Sequence, residues 1–277
     1  MIELSRHALP ASGPWVDWFP GGSPGTGALA EHARTATTGR WWADRPIRPR
    51  AIAVSCAGHV LLRGDPRAVD PGALAPLTGG CFDAPDRFLP VLGAAFHRIT
   101  PWERMMWLRT GPAPAFGPPP GATVRRLTAA DRHTIRHLGP DLQWVTSSWG
   151  GALAAAASGH VWGAFRDGRL VSLAGTYFLG SRYEDLAAAT APDHRGQGLA
   201  LACVTGLCAD ISARGHEPSW TCSRDNRPSR RLAWAAGFRL VREYVHHVAG
   251  APAVLGRRTP VPATPVAEPR ALSPVRG

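Results

Sequence analysis

The clearest pattern of apolar and polar positions lies between residues 183 and 213. A short apolar run is followed by a polar stretch with two glycines, and then by a longer amphipathic run. The spacing of the apolar residues in the longer run is that of one helical face. Residues 183–190 are therefore predicted to form a strand and residues 199–213 a helix. The positions that define this helical face are Ala200, Val204, Leu207, Cys208 and Ile211.

The surrounding sequence extends this pattern into a regular series of elements from residue 122 to residue 249. Thr128 is suited to cap a helix, with Asp131 in its first turn. Asp167-Gly168 between two apolar runs is a strong hairpin signal, and Gly215 and Gly237 are suited to end helices. The predicted order is β-α-α-β-β-β-α-β-α-β. Its helices cover residues 128–138, 149–157, 199–213 and 228–236, and its strands cover residues 122–127, 160–166, 170–179, 183–190, 219–222 and 238–248.

The first part of the chain has a weaker pattern. Residues 1–110 are predicted to form a small α/β unit, with a hairpin at Ala57-Gly58 and a short helix over residues 88–97. Residues 111–121 are rich in proline and glycine, which favours an extended linker. Residues 250–277 contain too few apolar positions to form a core, so a disordered tail is expected.

Charge and composition narrow the function classes. The net charge is +11, and because the chain contains no lysine, arginine alone supplies its basic side chains. These arginines are scattered and form no stripe interleaved with aromatic residues, so we do not expect a nucleic-acid partner. Local positive charge suits a small polyanionic ligand equally well.

The cysteines and the N-terminus indicate the compartment. The five cysteines include no CxxC pair, so their spacing predicts neither a disulfide framework nor a zinc site. The first residues lack a basic segment followed by an apolar one, which argues against a secretory signal. No apolar run approaches the roughly 20 residues of a membrane span. A cytoplasmic protein without a metal or a membrane partner is expected.

The loop between the strand and the long helix is predicted to bind an anion. The N-terminus of a helix presents free N–H groups and the positive end of the helix dipole. Gly196 and Gly198 carry no side chains that would keep a phosphate from the backbone. Arg195 can add a charge-assisted hydrogen bond.

These residues resemble a known family. The segment Arg195-Gly196-Gln197-Gly198-Leu199-Ala200 matches the pyrophosphate loop R/Q-x-x-G-x-G/A of the GNAT superfamily of acyl-CoA-dependent N-acyltransferases. Thr190 and Pro192 precede the loop as in that family, and Asn226 and Gly237-Phe238 match its N…GF segment. The resemblance covers residues 122–248.

The resemblance implies a fold, a cosubstrate and a binding site. The fold is a mixed, mostly antiparallel central sheet flanked by helices. The N-terminal unit is interpreted either as a degenerate GNAT-like half or as another α/β unit. Acetyl-CoA would lie in a splay between the strand ending at Thr190 and the strand after the long helix, with a backbone N–H near Ala189 polarising the thioester. The implied cofactor-binding residues are Ala188, Ala189, Thr190, Arg195, Gly196, Gln197, Gly198, Leu199, Ala200 and Asn226.

The acid and base of the reaction are less well marked. Strand alternation places Glu184 and Asp185 on opposite faces, so only one can face the cleft. We expect Glu184 to be the base, with a structural carboxylate paired with Arg182 or solvated as the alternative. The tyrosine that many relatives use as the acid is replaced by Ala233. The role is either empty or filled by water, Ser229, Tyr244 or a histidine, and Tyr244 is the side chain we name.

The sequence thus predicts an N-acetyltransferase that transfers the acetyl group of acetyl-CoA directly to an amine of a small molecule or a peptide. A non-catalytic acyl-CoA-binding or interaction module is the alternative. The acceptor and the oligomeric state remain open.

Overall fold

A computed structural model describes residues 1–5, 16–36, 38–111, 116–136 and 139–253. Most of the predicted tail, part of the predicted linker and the end of the predicted helix at Leu138 lie outside these residues. No helix in the described ranges is long and apolar enough to cross a membrane.

The N-terminal half forms six strands and two helices. The strands are β1 Ile2–Leu4, β2 Arg40–Ala43, β3 Ala51–Cys56, β4 His59–Gly64, β5 Cys81–Asp83 and β6 Ile99–Arg109. The helices are α1 Leu29–Thr35 and α2 Leu89–Ala95, and 3-10 segments include Gly25–Ala28, Pro66–Ala68 and Pro71–Leu77.

The C-terminal half forms six further strands. They are β7 Thr123–Arg126, β8 Val161–Arg166, β9 Arg169–Leu179, β10 Tyr183–Thr190, β11 Glu217–Ser223 and β12 Phe238–Ala249. The helices are α3 Arg132–Arg136, α4 Pro140–Gln143, α5 Ala152–Ala157, α6 Leu199–Ala213 and α7 Arg227–Ala235, and 3-10 segments include Ala129–Asp131, Trp144–Trp149 and Pro192–His194.

All twelve of these strands form one sheet in the order β1-β2-β3-β4-β5-β12-β6-β11-β10-β9-β8-β7. Each strand of the N-terminal half has a counterpart six strands later, so that β1 corresponds to β7 and β6 to β12. When every strand is replaced by its counterpart and the sheet is read from its other edge, the same order is obtained. The strand directions agree as well, because β4·β5 and β10·β11 are parallel and the other pairs are antiparallel. The topology of the N-terminal half therefore repeats that of the C-terminal half.

The last strand of each half lies between strands of the other half. β6 is hydrogen-bonded to β11 on one side and to β12 on the other, and β12 is also paired with β5. The two halves therefore share the centre of the sheet. Whether residues 1–110 and 122–249 form separate domains stays a prediction.

Helix α6 packs on one face of the C-terminal half. Its buried residues, including Cys203, Val204 and Leu207, share a core cluster with Leu186 of β10 and Trp220 of β11. Trp162 lies flat against the helix at Gly206 and donates from Nε1 to Asp210 at 2.6 Å. The opposite face of β10 belongs to a second cluster, which includes Ala187 and residues of α1 and α5.

Several predicted elements differ from the structure. The predicted helix over residues 149–157 begins only at Ala152, because Gly150 and Gly151 adopt positive φ angles. The predicted helix starting at Thr128 begins as a 3-10 turn, although the cap is present and Asp131 completes a capping box. The five cysteines are free and buried.

Candidate active site

A cleft opens between the parallel strands β10 and β11. Their pairing runs from Tyr183↔Glu217 to Leu186↔Trp220 and stops there. On its other side, β10 remains paired with β9 through Thr190↔Ser172. The second half of β10 therefore separates from β11 while its other edge stays fixed, which produces the splay expected from the sequence.

The register shows which backbone groups face this splay. Ala191 N donates to Val171 O of β9 at 2.9 Å. Because backbone groups alternate between the two edges of a strand, those of Ala189 also point toward β9, and Ala189 O accepts from Ser172 Oγ. Those of Ala188 and Thr190 point toward β11. The backbone groups of β10 that face the splay are thus those of Ala188 and Thr190, on either side of Ala189, near which the sequence places the polarising amide.

The glycine loop lies at the open end of this splay. Gly196 and Gly198 have φ angles of +74° and +77°, which side-chain-bearing residues rarely adopt. A Cβ at Gly196 would meet open space, whereas one at Gly198 would approach the Phe116 ring at 3.0 Å. Arg195 and Gln197 are exposed, and Arg195 Nε donates to Thr190 O at 3.1 Å.

The loop leads directly into the N-terminus of α6. Gly198 is the N-cap residue, and no side chain in the described part of the chain caps the first turn. The first N–H groups of an uncapped helix are free to bind an anion. Leu199 is buried and anchors the turn in the core, while Ala200 is only partly buried. The loop, the helix N-terminus and the splay therefore converge on one exposed site.

Helix α7 borders the other side of the cleft. Asn226 Oδ1 accepts from Ser229 N at 3.1 Å and caps this helix. Ala233 is fully buried in the core that α6 and α7 share with the sheet. A side chain at this position would face the packed interior.

The N-terminal half lacks the equivalent anion site within its described crossover, residues 65–80. Asp70 Oδ1 accepts from Gly72 N at 3.2 Å, so a carboxylate occupies the N-terminus of the 3-10 segment. An open cavity of about 890 Å³ adjoins this half, but Arg50 on its rim is paired with Asp65 and Arg87 with Gly64 O. Among the described residues, the candidate anion site therefore lies in the C-terminal half.

Glu184 lies on the α6 face of β10 and is completely buried. Arg214 donates two hydrogen bonds to its carboxylate, at 2.8 and 3.0 Å, and His216 Nδ1 lies 2.9 Å away. Burial would raise the pKa of Glu184, but the nearby His160 ring and the hydrogen bonds from Arg214 and Thr176 outweigh burial and hold the pKa well below its usual range. This geometry is that of a buried ion pair.

Asp185 lies on the opposite face and is also buried. It accepts from Ser219 Oγ at 3.1 Å and from Thr221 Oγ1 at 2.9 Å. Burial raises the pKa of Asp185 to about 7, despite these hydrogen bonds and the charge of Arg104. Since Ser219 and Trp220 are the last residues of β11 paired with β10, Asp185 lies where the cleft begins.

A row of polar side chains continues from Asp185 across the centre of the sheet. Arg104 of β6 donates to Thr221 Oγ1 at 3.3 Å, stacks 4.1 Å above Trp102, and is 7% exposed. Within the described residues, neither Arg104 Nε nor the Tyr244 hydroxyl has a hydrogen-bond partner. Burial raises the pKa of Tyr244 to about 12, so this hydroxyl stays protonated.

The two catalytic residues predicted from the sequence, Glu184 and Tyr244, thus lie on opposite faces of the sheet. Tyr244 interacts electrostatically with Asp185 and Arg104, whereas Glu184 is bonded to Arg214 on the other face. Arg104 was missed because its partners Thr221 and Tyr244 lie on strands distant in sequence. The available signal was its position at the start of a mostly apolar segment, residues 104–109, where a charge is costly unless it is paired.

Comparison with known proteins identifies relatives of this chain. Residues 119–247 match the model of the GNAT acetyltransferase family. An uncharacterized N-acetyltransferase from the mutA 5′ region of Streptomyces virginiae is 52% identical over 217 residues, which cover 78% of this chain and 90% of that protein.

Solved structures share the fold. A GCN5-related N-acetyltransferase-like protein from Streptococcus suis superposes with a TM-score of 0.60 at 18% identity, covering 80% of this chain and 99% of that one. A tandem GNAT protein from the clavulanic acid biosynthesis pathway gives a TM-score of 0.50 at 16% identity, covering 85% and 93%. With the 52% identical relative matched over nearly its whole length, the chain belongs to the GNAT acetyltransferase family.

Proposed function

We propose that the chain transfers the acetyl group of acetyl-CoA to an amine, with the donor bound in the splay between β10 and β11. The observation that carries the proposal is the convergence of the splay with an uncapped helix N-terminus and an open glycine loop. The pyrophosphate would bind the N–H groups of residues 195–200, and the pantetheine arm would pair with β10 as an added strand.

The base of the proposed reaction is Asp185. An amine must lose a proton to attack the thioester, and a group with a pKa near the working pH is suited to accept it. Asp185 has such a pKa and lies where the cleft begins. Glu184, the base expected from the sequence, is held ionised by Arg214 on the face covered by α6. Tyr244 as the general acid stays a prediction.

A non-catalytic acyl-CoA-binding module is the second candidate. Many relatives carry a general-acid tyrosine at the position of Ala233. Here this residue is buried and contributes only to packing, which favours the non-catalytic module. The thiolate of coenzyme A is a tolerable leaving group, so the loss of this tyrosine is compatible with turnover.

Binding and turnover distinguish the two candidates. The full-length chain is titrated with acetyl-CoA in a calorimeter and then incubated with a panel of small amines and peptides, with the release of free coenzyme A as the readout. Binding together with amine-dependent release is the expected result. Binding without release over the whole panel would favour the second candidate, and absence of binding would contradict both.

The acceptor is proposed to be a small-molecule or peptide amine, and the compartment the cytoplasm. The absence of lysine simplifies the assay with peptides and proteins, because every acetyl-lysine detected comes from the acceptor. Strongly salt-dependent binding of DNA without binding of acetyl-CoA would point instead to a nucleic-acid-associated protein.

A further inference from the structure

Three potential metal ligands meet on neighbouring strands of the sheet. His59 lies on β4 and pairs directly with Cys81 on β5, and His246 lies on the adjacent strand β12. One ring nitrogen of each histidine and the Cys81 sulfur all lie within 4.8 Å of one another. The separation of Cys81 Sγ from His246 Nδ1 is 3.6 Å. Ligand atoms bound to one tetrahedral zinc lie at about this separation, given Zn–S and Zn–N bonds of about 2.3 and 2.0–2.1 Å.

The second nitrogen of His246 is also positioned as in a metal site. His246 Nε2 lies 3.5 Å from Asp83 Oδ2, and Arg63 and Thr26 hold the Asp83 carboxylate in place. A carboxylate on the far nitrogen of a metal-bound histidine fixes its tautomer and orientation. His246 is 1% exposed, so this orientation is set by the packed interior of the sheet.

One ring nitrogen of His59 lacks a hydrogen-bond partner among the described residues. His59 Nδ1 is buried and has no hydrogen-bond partner within the described residues. A buried polar nitrogen without a partner is costly, and a bound ion is one way in which such a group is satisfied.

The charges around the cluster bear on which ion would fit. Arg104 lies close enough to act electrostatically on His59 and Cys81, and its charge opposes that of a dication, while burial raises the pKa of the Cys81 thiol to about 12. The Cys81 thiolate that forms on metal binding and the Asp83 carboxylate offset this charge. A set of one thiolate and two imidazoles suits zinc rather than magnesium or calcium, which prefer oxygen ligands.

We propose that His59, Cys81 and His246 bind one Zn²⁺ ion, with Asp83 orienting His246 and the fourth position open to water or another small ligand. The spacing of the cysteines could not indicate this site, because its ligands come from three strands far apart in the chain. The site lies beside Tyr244, whose ring is 4.8 Å from that of His246, and is separate from the donor cleft.

The test measures metal content and coordination in the full-length protein. Protein produced with added zinc and dialysed without chelator should contain about one zinc ion per chain, as measured by inductively coupled plasma mass spectrometry. After removal of zinc, Co²⁺ should give the intense visible bands of a tetrahedral site and a sulfur-to-cobalt charge-transfer band. Cys81→Ser should lose the charge-transfer band, whereas Cys203→Ser, at a buried cysteine in α6, should keep it.

A second variant separates loss of the site from loss of folding. Asp83→Asn leaves all three ligands in place, and it should weaken zinc affinity roughly 10- to 100-fold. Circular dichroism establishes that each variant is folded. Folded wild-type protein without bound zinc and without tetrahedral cobalt bands would overturn the proposal, as would unchanged zinc content in folded Cys81→Ser.

Discussion

At the scale of single residues, the adjacent carboxylates Glu184 and Asp185 of β10 have pKa values that are shifted in opposite directions. Arg214 donates to the carboxylate of Glu184, and His216 Nδ1 lies 2.9 Å from it. Within the described residues, Asp185 receives side-chain hydrogen bonds from hydroxyl groups alone, and burial dominates its pKa. One carboxylate is therefore fixed as an anion that stabilises the fold, and the other can exchange a proton near neutral pH.

Asp185→Asn is expected to lower turnover by roughly 100- to 10,000-fold, because the amide cannot accept the proton of the amine. In the wild type, the rate at limiting acceptor should rise with pH through about 7 as Asp185 ionises. The variant should lose this dependence and keep its affinity for acetyl-CoA. Rates measured from pH 5 to 9, with calorimetry as the binding control, test both points. An unchanged pH profile in the variant would remove Asp185 from the mechanism.

The same substitution has a consequence for stability. The folded pKa of Asp185, about 7, is above the unfolded value of about 3.9, so the folded state binds more protons between these limits. This carboxyl therefore makes the protein less stable as the pH rises from about 4 to 7. Asp185→Asn removes the penalty and should be more stable than the wild type above pH 7, by denaturant unfolding. Equal stabilities at pH 8 would contradict the raised pKa.

Glu184→Gln is expected to act mainly on stability. It leaves Arg214 without its anionic partner, and because Arg214 is partly exposed we expect a loss of about 2–3 kcal/mol. Since the folded pKa of Glu184 is lowered, the wild-type ion pair stabilises above the unfolded pKa and is lost as the pH falls through the folded pKa. The variant should therefore lose less stability on acidification. A large loss of turnover in a variant of full stability would restore Glu184 as the base.

At the scale of elements, the glycine loop and α6 form the proposed donor site. The φ angles of Gly196 and Gly198 turn the chain sharply, so that β10 leads into the uncapped end of the helix. Leu199 and the following buried residues fix the helix against the sheet. The anion-binding N–H groups are thus held by packing on the far side of the helix.

Gly196→Glu is expected to weaken acetyl-CoA binding at least tenfold, because it places a carboxylate in the open space beside the helix N-terminus. Gly215→Glu is a matched control at the other end of α6, since its φ of +78° and its open surroundings resemble those of Gly196. Both variants should lose similar stability, whereas only the first should lose affinity in calorimetry. Equal affinities in two folded variants would contradict the location of the pyrophosphate site.

The sequence was most informative where a long element has a strong period. Strand Tyr183–Thr190 and helix Leu199–Ala213 have the predicted bounds, because hydrophobic spacing and glycines marked both ends. Strands Ile2–Leu4 and Cys81–Asp83 were missed, since three residues cannot show a period. Alternation correctly separated Glu184 from Asp185. It could not show which face α6 would cover, because that choice depends on tertiary packing.

At the scale of the whole molecule, the two halves are related by an exchange of their last strands. β6 belongs to the N-terminal half by sequence, yet it fills the space between β11 and β12. The polar row with Arg104 and Tyr244 therefore contains residues of both halves. The N-terminal half, which has no donor site of its own in the described crossover, would contribute to the reaction through this shared centre.

The shared strand makes the chain a candidate for fragment complementation. Residues 1–113 and 114–277 should be insoluble when produced separately and should form a folded, acetyl-CoA-binding complex when produced together. A fragment of residues 99–277, which keeps β6, should be more soluble than residues 114–277. A folded, binding-competent 114–277 fragment would instead show that the C-terminal half is an independent domain. If complementation occurs, assembly of the two fragments becomes a switch for acetyl-CoA binding. The reason is that β11, which forms one wall of the cleft, is paired with β6 as well as with β10 only in the assembled protein.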